Sequence, residues 1–188
     1  MKEYKLLFTG TMGAGKTTAI AAISEVAPIV TDVANNDTSV DKERTTVGMD
    51  YGMMTLENGD RIRLFGTPGQ KRFDFLWKIL AKNALGLIIL IDNSRPDPLA
   101  DLSMFLDGFA DSLETLPCAI GVGRMDQHPD PSLDDFADLL ETRGLVLPII
   151  AVDVRRRDDV TLLIDTLVSQ LAAGLLVPDL PTHPDFPT

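Results

Sequence analysis

Cysteine is almost absent from this chain of 188 residues, which contains only Cys118. A single thiol cannot form a disulfide within the chain, so the fold must depend on a packed core, as is typical of proteins in a reducing cytoplasm. We interpret Cys118 as a small buried residue of a strand. The two histidines, His128 and His183, have no second ligand at metal-binding spacing, so neither is expected to bind a metal.

Long apolar runs are also missing. No run reaches the roughly 18 residues that a membrane-spanning helix requires. Residues 1–8 are too few and too charged for a signal peptide, and the C-terminal residues 185–188 contain no prenylation cysteine. We therefore expect a cytoplasmic protein without a stable membrane anchor.

Basic residues are scarce, with 17 Lys and Arg against 28 Asp and Glu, and the formal net charge is −11. Such an acidic surface repels phosphate backbones, so we expect no binding to DNA or RNA. A local pocket for one nucleotide is still compatible with this charge. The length suits one domain with a core large enough to fold without disulfides.

Strand and helix patterns alternate along the chain and predict an α/β fold of three layers, α/β/α. The order is one strand and one helix, then two strands, then four helices that alternate with three further strands. Asn58-Gly59 lies between the strand-like segments Thr46–Leu56 and Arg61–Phe65, which predicts a hairpin. The predicted sheet is therefore six-stranded and mostly parallel, with one antiparallel edge strand.

Four other segments have specific predictions. Residues 28–44 lack periodicity and are interpreted as a long functional loop. Apolar residues recur at helical spacing from Leu99 to Leu113, and Ser132 with Asp135 matches a capping box. Residues 174–188 contain four prolines and predict an extended or disordered tail after a domain of residues 1–173.

The segment Gly10–Thr17 reads Gly-Thr-Met-Gly-Ala-Gly-Lys-Thr and matches the P-loop motif G-x-x-x-x-G-K-[ST] in full. It lies between a predicted strand and a predicted helix, which is the context that this motif requires. Backbone N–H groups of such a loop surround phosphate oxygens, Lys16 is expected to reach the β and γ phosphates, and the Thr17 hydroxyl is expected to bind Mg²⁺. The candidate nucleotide-binding residues here are Gly10, Met12, Gly13, Ala14, Gly15, Lys16, Thr17 and Thr18. A P-loop alone does not distinguish a switch from a kinase or an ATPase.

Two later segments resemble the switches of the Ras-like small GTPases. Thr46-Val47-Gly48 is similar to the first switch of the Rab and Arf branches, and Thr67-Pro68-Gly69-Gln70 is similar to the second switch. That second segment, together with Ala151-Val152-Asp153 at the end of the last strand, most resembles the bacterial MglA-like GTPases. The resemblance covers roughly residues 3–172.

The resemblance implies a switch that binds GTP and GDP with Mg²⁺ and hydrolyses GTP slowly. The Thr46 hydroxyl would complete the Mg²⁺ shell, and the Gly69 N–H would bind the γ-phosphate. Gln70 would orient the attacking water while Lys16 and Arg44 neutralise charge. Arg72 lies in the second switch and is another candidate for that role, although Arg44 and Arg72 both also fit solvated surface positions. MglA-like proteins work with Roadblock/LC7-domain partners, so such a regulator and a downstream effector are implied.

On the phosphate side, two residues depart from the family pattern. Gly66 replaces the aspartate that holds Mg²⁺ through water, which implies weaker or differently supported metal binding. Met12 stands where Ras-like proteins often have glycine, and its bulk predicts slow intrinsic turnover.

The base-reading segment also departs from the family pattern. Gly123-Arg124-Met125-Asp126 replaces Asn/Thr-Lys-x-Asp. Asp126 is expected to accept from the guanine N1–H and N2–H₂, and Arg124 to cover the base, whereas Gly123 has no side chain to brace the loop. A backbone N–H near Val152 is expected to meet the base carbonyl. Asp126 also fits simple turn chemistry beside Pro129.

Three questions stay open from the sequence. Gly66, Gly123 and Met12 favour a nucleotide-binding scaffold with negligible turnover as the alternative function. A P-loop kinase or ATPase is the other alternative, although a kinase generally needs an arginine-rich lid and only residues 155–157 cluster here. The apolar residues beside the second switch fit either core packing or a partner-binding patch; they are Phe73, Phe75, Leu76 and Trp77.

Overall fold

One mixed sheet forms the centre of the protein. A computed structural model describes residues 1–27, 29–34 and 46–173, and for residues 29–34 and 46–48 it describes the backbone alone. Within these residues the sheet has seven strands. They are β1 Glu3–Gly10, β2 Ile29–Ala34, β3 Thr46–Thr55, β4 Arg61–Gly66, β5 Gly86–Asp92, β6 Cys118–Gly123 and β7 Ile149–Val152. Their spatial order is β2-β3-β4-β1-β5-β6-β7.

The sheet is parallel from β4 through β1, β5 and β6 to β7, and β3 runs antiparallel to both of its neighbours. Parallel strands place their carboxyl ends at one edge, where ligands bind in sheets of this kind. The loops after β1, β4, β5, β6 and β7 therefore meet at a common edge.

Helices cover both faces of the sheet. They are α1 Lys16–Ile23, α2 Asp74–Ala81, α3 Pro98–Gly108, α4 Ala110–Leu113, α5 Leu133–Thr142 and α6 Arg157–Ala172, with a 3₁₀ turn at Lys71–Phe73. Successive residues of a strand point to opposite faces, so Leu7 packs in one apolar cluster with Phe105 and Phe136, whereas Leu6 packs in the other with Ile20 and Leu163. The predicted three-layer α/β P-loop fold is confirmed.

The hairpin at Asn58-Gly59 is also confirmed. Strands β3 and β4 pair antiparallel from Thr55 opposite Arg61, and Gly59 adopts a φ of 84° in the turn. A left-handed backbone of this kind favours glycine, because the position carries no Cβ.

The predicted loop over residues 28–44 is wrong in part, because β2 occupies Ile29–Ala34. This strand pairs with β3, so the sheet has seven strands where six were predicted, and β3 is an interior strand instead of an edge strand. Ile, Val and Thr dominate this segment and favour strands. Its six residues show no regular alternation, and the pairing with β3 that stabilises it cannot be seen in a local window.

The apolar stripe from Leu99 to Leu113 forms two helices, α3 and α4, which meet at Phe109. Gly108 ends α3 at this interruption, and a Cβ there would lie 2.7 Å from the Trp77 ring, so the position requires glycine. Trp77 is 1% exposed, stacks on Phe109 at a centroid distance of 5.6 Å, and donates from Nε1 to the Pro68 carbonyl at 2.8 Å. Trp77 therefore belongs to the core and fastens the loop that carries the predicted second switch.

Two smaller predictions are confirmed. The Ser132 N–H donates to Asp135 Oδ2 at 2.7 Å and the Asp135 N–H donates to Ser132 Oγ at 3.3 Å, which completes the capping box of α5. Cys118 is fully buried in β6, and burial raises the pKa of its thiol.

Several predictions concern residues outside the described ranges. Arg44 and the proposed tail, residues 174–188, lie there. The domain boundary at residue 173 and the cytoplasmic location remain predictions. Among the described residues, no helix combines the length and apolar character needed to cross a bilayer.

Candidate nucleotide-binding site

The turn between β1 and α1 has the backbone conformation of a phosphate loop. Gly13 and Gly15 have φ values of 87° and 90°, a region that residues with a Cβ rarely adopt. A Cβ on Gly15 would also lie 2.6 Å from Val154 Cγ2, and a Cβ on Gly10 would overlap the Leu90 carbonyl oxygen. The glycines of the motif are therefore required by their backbone conformation and by close packing within the protein.

Lys16 closes this loop with its side chain, which is 8% exposed. Its Nζ donates to the carbonyl oxygens of Gly10 and Thr11, both at 2.8 Å. Burial lowers the pKa of Lys16 to about 8, and the charge of Asp50 partly opposes this effect. The ammonium group thus lies across the loop, where a phosphate can replace its carbonyl partners.

Asp50 on β3 supplies a carboxylate next to the phosphate loop. Its Oδ2 accepts a hydrogen bond of 2.8 Å from the Thr17 hydroxyl. Asp50 lies opposite Gly66 in the β3–β4 register, and a Cβ on Gly66 would lie 2.8 Å from Asp50 Oδ2. A carboxylate of the neighbouring strand therefore lies where a side chain at position 66 would begin. Asp50 is not among the residues predicted from the sequence, although the register of the hairpin around Gly59 places it opposite Gly66.

The Thr17 and Asp50 side chains fit a magnesium ion beside a phosphate. Mg²⁺ at such sites takes one or two protein ligands and keeps water and phosphate oxygens for the rest. In the part of the chain that the structure describes, no group of three or more His, Cys, Asp or Glu residues could hold a metal. Thr46 begins β3, and its backbone lies on the same strand as Asp50. Its predicted metal role remains a prediction, because its side chain is not described.

The loop after β4 packs directly on the phosphate loop. A Cβ on Gly69 would lie 2.6 Å from Met12 N and 2.7 Å from Gly10 O, so only glycine fits there. This contact and Asp50 enclose a cavity of about 460 Å³. Its lining includes Met12, Gly13, Gly15, Lys16, Thr17, Thr18, Asp50, Thr67, Gly69, Gln70 and Arg72.

Three side chains of this cavity bear on the predicted chemistry. Gln70 is half-buried and lines the cavity together with Lys16, as the prediction requires. Met12 is 67% exposed at the rim. Arg72 also lines the cavity, and its guanidinium lies 4.8 Å from the centre of the Phe73 ring. The cavity thus brings together most of the predicted phosphate-side residues, namely Met12, Gly13, Gly15, Lys16, Thr17, Thr18, Gly69 and Gln70. Gly10 and Ala14 do not line it, and the Thr46 side chain and Arg44 are not described.

A second cavity, of about 540 Å³, lies at the carboxyl ends of β5, β6 and β7. Gly13, Gly15 and Thr18 line both cavities, so the two adjoin. The predicted residues Ala14, Arg124, Asp126 and Val152 line this second cavity. Each volume is in the range of small-molecule sites, and together they match a ligand with a polyphosphate at one end and a base at the other.

Asp126 is exposed to the second cavity, and among the described residues its carboxylate makes no hydrogen bond or ion pair. The edge of a base with two hydrogen-bond donors would satisfy the two carboxylate oxygens of Asp126.

The other predicted base-side residues have partners within the protein. The Arg124 guanidinium pairs with Asp92, donates to Ser94 Oγ at 2.9 Å and reaches the Gly13 carbonyl oxygen at 3.5 Å. Arg124 is therefore directed at β5 and the phosphate loop, and a position over the base would require these contacts to break. Val152 is 6% exposed and pairs with Gly123 in the sheet.

The rim of the second cavity beyond β7 carries an ion-pair network. Asp153 Oδ1 and Oδ2 accept from Arg155 Nε and Nη2 at 2.8 and 2.7 Å. These hydrogen bonds lower the pKa of Asp153 to about 2. The Asp153 N–H donates to Asp159 Oδ2 at 2.8 Å, so this N–H is not available to a base carbonyl.

Comparison with known proteins agrees with this geometry. A family described as a conserved hypothetical ATP binding protein matches residues 29–173, which is more than half of the chain. The chain belongs to this family. The matched range begins after the phosphate loop, so the complete P-loop motif at residues 10–17 is independent of it.

Individual relatives are more distant. The uncharacterized protein MJ1339 of Methanocaldococcus jannaschii is 29% identical over 93 residues, which cover 50% of this chain and 53% of that protein. The Ras-related protein Rab-12 of Homo sapiens is 27% identical over 107 residues, covering 55% of this chain and 39% of that protein. The Ras-related protein Rab-8A of Gallus gallus is 33% identical over 92 residues, covering 47% and 39%. The chain thus spans about half or less of the length of these relatives.

The motif, the fold and the comparisons together define a nucleotide-binding P-loop protein related to the Ras-like GTPases at low identity.

Proposed function

We propose that this protein is a GTP-binding molecular switch of the MglA-like kind, which hydrolyses GTP to GDP slowly with Mg²⁺ and binds partners according to the bound nucleotide. One observation carries the proposal. A single cavity joins Lys16 and Thr17 of the phosphate loop to Asp50 of β3 and to Gly69 and Gln70 of the loop after β4.

The switching step follows from that cavity. The Gly69 backbone rests on the phosphate loop, so its N–H can bond a γ-phosphate that the loop holds. Losing that phosphate removes the bond, and the loop between β4 and α2 is released to change its conformation. Thr46, at the start of β3, would respond in the same way.

The metal would be held by Thr17 with Thr46, and Asp50 would support it in place of the aspartate missing at position 66. Bound Mg²⁺ supplies charge neutralisation between the phosphate oxygens. The hydrogen bond between Thr17 and Asp50 supports this assignment, because it brings the hydroxyl and the carboxylate together in the lining of the phosphate-side cavity.

Guanine is the base that Asp126 favours. A carboxylate accepts from both N1–H and N2–H₂ of guanine, whereas adenine presents an acceptor at N1 that the carboxylate repels. Asp126 lines the base cavity, and among the described residues its carboxylate makes no hydrogen bond or ion pair that a base would have to replace. The family description as an ATP binding protein supports the opposite preference, so adenine nucleotides are the second candidate ligands.

Hydrolysis would be slow without a partner. Gln70 lines the phosphate-side cavity and would orient water, with Lys16 and Arg44 neutralising charge. Met12 supports the alternative of a nucleotide-binding scaffold with negligible turnover, because its bulky side chain is exposed and lines the same cavity as Gln70, where it would crowd a water or an incoming arginine. A P-loop kinase is less well supported. Arg155 and Arg156 pair with Asp153 and Asp159, so they are not free to act as an arginine-rich lid.

The partners implied by the MglA-like resemblance are a Roadblock/LC7-type regulator and a downstream effector. Phe75 and Ile79 of α2 support an interface beside the second switch, because they are 49% and 58% exposed. Lone exposed apolar residues are ordinary, but these two lie four positions apart on one helix, next to the segment expected to move.

The test is single-turnover hydrolysis of GTP with and without Mg²⁺, repeated with a Roadblock-domain protein. We expect slow, Mg²⁺-dependent phosphate release from the wild type that the partner accelerates. Gln70→Ala is the matched variant and should lose hydrolysis while keeping affinity for GTP. Absence of turnover in every condition, with tight GTP binding retained, would favour the scaffold. Faster turnover of ATP than of GTP would reject the guanine assignment.

A further inference from the structure

The loop that carries Asp126 is fixed in place although Gly123 contributes no side chain to it. Arg124 adopts a left-handed backbone with a φ of 63°. Its carbonyl oxygen accepts from the N–H groups of Gln127 and His128 at 3.2 and 2.9 Å, which closes a tight turn around Asp126. A turn of this size does not by itself fix its position relative to the sheet, so a further fastening is required.

Asn93, the residue after β5, provides hydrogen bonds that hold the loop against the sheet. Its side chain is directed at the loop, and the residue is only 2% exposed. The Nδ2 group donates to the carbonyl oxygens of His128 at 2.6 Å and Pro131 at 2.9 Å. Both partners only accept, so the amide must present its NH₂ group to them. Its Oδ1 has no partner among the described residues, so the side chain bonds only to this loop there.

Asp92 fastens the other end of the same turn. It is 6% exposed, and its Oδ2 pairs with Arg124 Nη1. Its Oδ1 accepts from the N–H and hydroxyl of Ser94 at 3.0 and 2.6 Å, which holds the carboxylate still. The contacts made by Asp92 and Asn93 therefore lie on either side of Asp126 along the chain, at residue 124 and at residues 128 and 131.

We propose that Asn93 is a positioning residue for base recognition, whose amide holds the loop so that the Asp126 carboxylate meets the two donors on the guanine edge. The inference rests on the proposed guanine-nucleotide function and extends it to a residue that lines neither of the two cavities. Asn93 and the Asp92–Arg124 pair together brace the loop, a role that Gly123 cannot fulfil. Removing the hydrogen bonds of Asn93 to the loop should reduce discrimination between bases while phosphate binding is retained.

Asn93→Asp is the sharpest variant, because it keeps the size of the side chain and replaces two donors by oxygens that face two carbonyl oxygens. Asn58→Asp in the β3–β4 turn is the matched control, since Asn58 is exposed and bonds only within that turn. The ligands are GDP, IDP and inorganic pyrophosphate with Mg²⁺, measured by calorimetry. IDP lacks the 2-amino group and so loses one of the two hydrogen bonds to Asp126.

For the wild type and Asn58→Asp we expect GDP to bind at least about tenfold more tightly than IDP, since IDP lacks one hydrogen bond to the charged Asp126 carboxylate. Asn93→Asp should bring the two affinities within about threefold of each other and leave pyrophosphate binding unchanged. Asn93→Ser retains one donor and should be intermediate, and it replaces the aspartate variant if that protein does not fold.

Retention of the wild-type GDP-to-IDP ratio by both variants would overturn the positioning role while leaving the guanine assignment intact. Equal weakening of all three ligands would also overturn it, because it would show a general structural role. A wild type that fails to discriminate GDP from IDP, or that prefers ADP, would overturn the guanine assignment and this inference with it.

Discussion

Lys16 should make the unliganded protein more stable as the pH rises above 7. Its pKa is lowered to about 8 by burial, whereas the unfolded chain should titrate near 10.5. Between these values the unfolded state binds more protons, so stability increases with pH. Linkage over this window gives a gain of about 2 kcal/mol in the free energy of unfolding between pH 7 and pH 9.5. The residue is 8% exposed, so solvent screening reduces this value little.

The assay is urea unfolding at both pH values, without nucleotide and with a chelator to remove Mg²⁺. The single tryptophan, Trp77, is 1% exposed and its fluorescence reports loss of the core. Lys16→Met is the control, because it removes the titrating group from the same position. The difference between the pH dependences of the two unfolding free energies is the contribution of Lys16, because every other titrating group is common to both proteins.

Bound nucleotide should oppose this increase of stability with pH. A bound polyphosphate holds Lys16 in the charged form, so the stabilisation that GDP confers should shrink as the pH rises from 7 to 9.5. The same pH slope for wild type and Lys16→Met would refute the reasoning, because it would show that the ammonium group is not held in a desolvated position. A wild type that loses stability with pH relative to Lys16→Met would refute it more strongly.

Three further predictions concern single positions of the site. Asp50→Asn should weaken GDP binding at least about tenfold in Mg²⁺ and leave binding in the presence of a chelator unchanged. The double variant Asp50→Gly with Gly66→Asp should restore part of the Mg²⁺ effect. Equal losses of affinity with Mg²⁺ and with chelator would contradict the metal role. Gly15→Ala should lower the Tm and abolish nucleotide binding. Gly59→Ala is the control, because Gly59 has a similar φ of 84° and no atom lies within 4 Å of the added Cβ; it should cost only about 1 kcal/mol of unfolding free energy and keep binding. Similar losses of stability for both variants would show that backbone strain alone determines the effect. Gln70→Ala should slow single-turnover hydrolysis at least about tenfold without changing GDP affinity, and an unchanged rate would remove Gln70 from the catalytic set.

The parts of the fold and site that the sequence predicted are those whose determinants lie close together in the chain. The P-loop conformation depends on glycines within residues 10–17, and the hairpin depends on Asn58-Gly59. Such signals are complete within a short window, so they could be recognised without the tertiary structure.

The parts that were missed depend on contacts between distant segments. Asp50 bonds to Thr17, which lies 33 residues away in the chain. This contact depends on the register of β3 and β4, which places Asp50 opposite Gly66. Asn93 bonds to carbonyl groups 35 and 38 residues further along the chain, and backbone carbonyls leave no trace in a sequence. Strand β2 is stabilised by pairing with β3 and lacks a clear pattern of its own.

The most direct test of the central claim is the affinity of the wild-type protein for GDP and ADP, measured side by side with Mg²⁺, because the claim joins a phosphate loop to a base cavity read by Asp126. We expect GDP to bind at least about tenfold more tightly than ADP, since only guanine presents two donors to a carboxylate, and Lys16→Ala to abolish binding of both. Equal or tighter binding of ADP would contradict the account.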